Sequence, residues 1–93
     1  MPKNDTDHIP GGAWVQLTNA DVTAITFANV GTNVVRVTAT VGAIAPTSIR
    51  GSIPYPPGWG ECRDLSEIWK GVPGANRVWA YAGQPTDVFV SHA

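Results

Sequence analysis

The side chains able to do chemistry are few and far apart: His8, His92, Ser91, Cys62 and seven acidic residues spread from Asp5 to Asp87. Nucleophilic catalysis needs a nucleophile, a base and an orienting group held within mutual reach. Ser91 and His92 are neighbours, but adjacent residues of a strand point to opposite faces, so they do not converge. His8 falls in a polar N-terminal stretch and His92 is the penultimate residue, and neither place holds a base rigidly. Cys62 stands between Glu61 and Arg63 with no histidine placed beside it, so it reads as a small, partly buried apolar residue. One cysteine and two distant histidines give no zinc spacing, and the acidic residues form no calcium loop. "GWGECRD" has glycines but neither a lysine nor a preceding parallel strand, so it is no phosphate cradle. The expectation is a protein that is not an enzyme and takes no cofactor or metal.

The aromatic residues carry more information. There are eight, four of them tryptophan. Phe27 and Trp69 sit on apolar faces and are expected in the core. Trp79 and Tyr81 share one face of a strand with Arg77, which is either a core face or an exposed aromatic row beside a cation. Trp59 is the outlier. It lies in "YPPGWGE" (55–61), where prolines fix φ and glycines permit positive φ, so the stretch reads as a loop. Burying its indole would be worth up to roughly 4–6 kcal/mol. The ring therefore either plugs the end of its own fold or anchors the chain to a neighbour.

Bulk properties narrow the classes. A chain of 93 residues makes one domain with one thin core. Charged residues are 14%, well under the usual quarter, which favours a chain that works in an assembly. The net charge is −1 and the six basic residues are scattered singly, so a nucleic-acid partner is not expected. "MPKNDTDHIPGG" lacks the apolar core of a signal peptide, and "VGAIAPTSI" is too short to span a bilayer, so no membrane partner is expected. A single cysteine fits synthesis in a reducing cytoplasm.

The elements that must position these residues are mostly strands. Residues 1–12 read as a flexible polar arm, and 13–93 as a single β domain. "AWVQLT" (13–18) alternates, with Val15 and Leu17 on one face. "DVTAITFANV" (21–30) puts Ile25 and Phe27 on one face. "VVRVTATV" (34–41) sets Val35, Val37, Ala39 and Val41 against Arg36, Thr38 and Thr40. The two runs flanking "GTN" read as a hairpin. "IRGSIPY" (49–55) predicts a short strand, with Pro54 placing it at an edge. "DLSEIWKG" (64–71) has the one helical signature: Asp64 and Glu67 spaced as a capping box, and Leu65, Ile68 and Trp69 on one face. "RVWAYA" (77–82) and "TDVFVSHA" (86–93) complete the set. The pattern predicts an all-β fold, a small antiparallel sandwich or barrel with one short helical turn.

"ITFANVGTNVVRVTATVGAIAPTS", "PPGWGE", "GVPGANRVWAYA" and the terminal "VFVSHA" together resemble small virion accessory proteins of tailed bacteriophages, over residues 13–93. The resemblance rests on structural rather than catalytic motifs. It implies a capsid decoration (cement) protein or the base of a head spike or fibre. It further implies attachment to the outside of the shell, with the major capsid protein and further copies of the chain, as trimers or dimers, for partners. The expected contact residues for capsid or subunit are Trp59, Pro57, Tyr55, Trp79, Tyr81, Arg77, His8 and Ile9. The competing expectation is a glycan- or host-surface-binding module with Trp59, Trp79 and Tyr81 as an exposed stacking platform.

Overall fold

A computed structural model describes residues 2–93. Among the described residues there are eight strands, β1 (Lys3–Ile9), β2 (Val15–Gln16), β3 (Ala24–Asn29), β4 (Val35–Thr40), β5 (Ile53–Tyr55), β6 (Gly60–Asp64), β7 (Arg77–Tyr81) and β8 (Thr86–His92), with one helical turn, α1 (Leu65–Ile68). They form two four-stranded antiparallel sheets, ordered β1-β8-β3-β6 and β2-β7-β4-β5. The two sheets face each other as a sandwich, as the period-two pattern predicts.

The core lies between them. Ile25 and Phe27 from β3 and Val88 and Val90 from β8 meet Val35 and Val37 from β4 and Val78 and Ala80 from β7, all buried. Phe27 and Trp69 take their expected core places and stack with ring centroids 6.4 Å apart. Leu65 is buried and Ile68 half-buried, so the short helical turn lays its apolar face on the core. Burial of that kind is what holds so short a helix together.

Several local expectations are corrected. The flexible arm is instead strand β1, paired with β8 from Lys3↔His92 to Ile9↔Thr86. Its polar residues give no apolar alternation, but a backbone ladder needs none. Lys3 Nζ reaches the Leu17 carbonyl at 2.9 Å, tying β1 to the other sheet, and Ile9 is fully buried. The "GTN" hairpin does not form either. β3 lies between β8 and β6, and β4 between β7 and β5, so residues 30–34 cross from one sheet to the other. Both strands alternate identically because they face the same core from opposite sides.

The strand read over 49–55 shrinks to Ile53–Tyr55, with Ile49 exposed, while its expected edge position holds. Gly60 and Glu61, read as loop, open strand β6. Asp64 precedes the helical turn without a side-chain cap. Val41 is exposed beyond the end of β4, and Cys62 is exposed rather than partly buried.

Candidate functional site

The Trp59 loop is a defined turn. The Trp59 amide donates to the Pro56 carbonyl at 3.1 Å. Pro57 occupies the first central position and Gly58, at φ +87°, the second. Proline there and glycine at positive φ are the residues a type II turn requires. Gly60 has a different reason. A Cβ at that position would stand 1.9 Å from the Phe27 carbonyl oxygen, so only glycine lets β6 approach β3 this closely. The two glycines flanking Trp59 thus serve a turn and a close approach.

Asn29 holds this turn in place. Its amide donates to the Trp59 carbonyl at 2.8 Å, and its carbonyl accepts from the Gly58 amide at 2.7 Å. Its side chain is completely buried and fully satisfied. Nδ2 donates to the Asn33 carbonyl at 2.6 Å and the Tyr55 carbonyl at 2.9 Å. Oδ1 accepts from the Gly31 amide at 3.1 Å and the Thr86 hydroxyl at 2.9 Å. One side chain therefore joins the connections after β3, β5 and β7, and a buried amide with every partner present fixes geometry. Asn33 Nδ2 adds a bond to the Pro85 carbonyl at 2.7 Å.

On this rigid base the Trp59 indole remains 67% exposed. Roughly 2.5–4 kcal/mol of the burial a tryptophan can gain is left uncollected. Val30 and Val34, 57% and 48% exposed, belong to the same end of the sandwich, as do the exposed Pro56, Pro57 and Pro85. The end is apolar and preorganised. Beneath it Tyr55 is buried, edge-on to Phe27 with centroids 5.0 Å apart, and its hydroxyl donates to Glu61 Oε2 at 3.2 Å. Burial first, and the Glu61 carboxylate second, push the Tyr55 phenol well above its ordinary value.

The other expected contact residues separate from Trp59. Tyr55 and Ile9 are core residues rather than contacts, each facing the sandwich interior. Trp79, Tyr81 and Arg77 lie on the outer face of the β2-β7-β4-β5 sheet. Trp79 is nonetheless covered, its Nε1 donating to Thr40 Oγ1 at 2.9 Å. Arg77 is engaged with Asp21 Oδ1 at 2.8 Å and Gln16 Oε1 at 3.2 Å. Tyr81 is half-buried, tilted against Trp14 at 5.4 Å. Trp59 belongs to the edge of the opposite sheet, so the three rings make no common stacking platform. His8 is exposed and bonded to Asp87 across β1 and β8 at 2.8 Å.

The side chains with chemical potential do not converge. Thr26 pairs with both Cys62 and Ser91, placing these three on the outer face of one sheet, and Thr26 Oγ1 donates to Cys62 Sγ at 3.2 Å. They border a wide, open depression of about 730 Å³. His92 continues the inward row of Thr86, Val88 and Val90 and is buried, with its Nε2 unpartnered. Its ring therefore starts from the opposite face of the sheet to the thiol and the hydroxyl, although His92, with Asp21 and Asp64, also lines the depression they border.

Two features beside the Trp59 turn escaped the sequence reading: the Asn29 hub and strand β6. A polar residue closing the apolar strand "AITFAN" before a glycine turn was the available signal for the first. The second is masked by its glycine and charged residues. Compared with known proteins, the chain matches no protein-family model, no curated protein and no solved structure.

Proposed function

We propose that the protein is a non-enzymatic structural component of a tailed-phage virion, binding the outer surface of the head as a decoration or cement protein. The observation that carries this reading is the exposed Trp59 indole on a turn clamped by Asn29. A large apolar ring carried on a turn whose backbone is already fixed loses less entropy on docking, which is how an interface anchor differs from a mobile loop residue. The apolar surroundings of Val30, Val34 and the prolines extend the same surface. The sparse surface charge suits repeated attachment to a lattice, where many modest contacts reinforce one another. The partner is the major capsid protein.

Co-sedimentation with heads lacking the protein tests this reading. Saturation at a copy number matching a class of lattice sites, with a gain in head heat resistance, is the expected result. Binding only at a few vertices would assign the chain to a spike or fibre base. Absence of binding would overturn the proposal and send the question to glycan arrays.

A further inference from the structure

A two-sheet sandwich has four edges, and two of them here are blocked against further pairing. β5 carries Pro54 at its centre and β2 is only two residues long. These are ordinary protections of a sheet edge. β1 and β6 stay open, each with charged residues on its inner face. β1 paired with its own copy about Thr6 would set Asp5 opposite Asp7, whereas β6, with the sequence GECRD, stands exposed along nearly its whole length and carries opposite charges.

Its free backbone groups can be identified. Asn29 N–H donates to the Trp59 carbonyl and Leu65 N–H to the Thr23 carbonyl, so the odd-numbered residues of this segment bond β3. By the alternation of an antiparallel ladder, Gly60, Cys62 and Asp64 point their N–H and C=O groups away from the sheet. The side chains are self-complementary about the middle residue. If a second β6 lies antiparallel with Cys62 opposite Cys62, Glu61 of each copy falls opposite Arg63 of the other, and Gly60 falls opposite Asp64.

We propose that β6 is a self-association edge, on which two copies pair antiparallel about a two-fold axis through Cys62 and join two four-stranded sheets into one of eight. The free groups of Gly60, Cys62 and Asp64 supply the new ladder. The two Glu61–Arg63 pairs occupy its non-hydrogen-bonded positions, where side chains approach most closely. Within one copy these two side chains already stand 3.6 Å apart, so both charges are at the edge. The dimer carries one apolar Trp59 end at each end of the joined sheet, the two Trp59 residues about 20 Å apart along the strands. The pairing does not rest on shell attachment. Its use in bridging two shell sites does.

Analytical ultracentrifugation of the free protein, without heads, tests the pairing. A concentration-dependent species of twice 9.8 kDa is expected. Arg63→Glu places four carboxylates together and should raise the dissociation constant at least roughly 10-fold, and the exchanged pair Glu61→Arg with Arg63→Glu should restore it. Register is read by diamide oxidation: two Cys62 thiols give up two protons and two electrons, diamide becomes the hydrazine, and a reducible Cys62–Cys62 dimer forms. A monomer at all concentrations overturns the proposal, as does a dimer indifferent to Arg63→Glu or one that diamide does not cross-link. Head binding by an unpaired monomer would remove the dimer and leave the proposed function standing.

Discussion

The amide of Asn29 donates to the carbonyl of Trp59 at 2.8 Å, so the backbone that carries the most exposed aromatic ring among the described residues is fixed by one of the most deeply buried polar residues. The strand that ends at Asn29 and the turn that presents Trp59 are mechanically one unit. Where Trp59 is presented is therefore decided by packing inside the molecule.

Asn29→Ala removes four side-chain hydrogen bonds and leaves the Thr86 hydroxyl without its acceptor, while the Gly31 amide keeps the Asp87 carbonyl at 3.1 Å. The expected cost is about 3 kcal/mol, read from the midpoint of urea unfolding. Hydrogen exchange should accelerate in residues 30–34 and 56–59 together, because they lose one shared anchor.

Trp59→Ala should change the stability of the isolated protein by no more than about 0.5 kcal/mol, since the ring is 67% exposed. Head binding should fall by at least roughly 10-fold. Equal binding by the variant would remove Trp59 as the anchor, and a large loss of stability would make it a plug of its own fold.

The two glycines beside Trp59 should separate cleanly. Gly58→Ala forces a β-carbon into positive φ over open space and should cost about 1–2 kcal/mol. Gly60→Ala drives a β-carbon into the Phe27 carbonyl and should cost about 3 kcal/mol by pushing β6 off β3. Thermal midpoints of the two variants give the order.

Tyr55 sets an alkaline limit. Its folded-state value lies above the ordinary 10.0, because burial and Glu61 both disfavour the phenolate. Tyr55 therefore contributes stability that is complete below about pH 10 and is lost as pH rises toward the folded-state value. Tyr55→Phe should lose about 1 kcal/mol at neutral pH through the missing bond to Glu61, and should flatten the decline above pH 10. Urea unfolding at pH 8, 10 and 11 checks both arms.

By itself the sequence determined what each strand shows to its own two faces. Alternation in "VVRVTATV" placed Val35 and Val37 inward, and in "RVWAYA" it set Val78 and Ala80 on the face opposite Trp79 and Tyr81, because side-chain direction along a strand depends only on the chain's own period. The turn chemistry of "PPGW" was equally local, since φ limits act within a residue or two. Which strand pairs with which was decided only by the tertiary structure. "KNDTDHI" carries no apolar signal, yet becomes β1 because β8, nearly eighty residues away, offers it an unpaired edge. "GTN" looks like a hairpin because two alternating runs flank it, but those runs face one core from opposite sheets. The exposure of Trp59 belongs to this second class. Proline and glycine fix the shape of its turn, while the place of that turn on the sandwich follows from Asn29, whose partners come from three separate stretches of the chain.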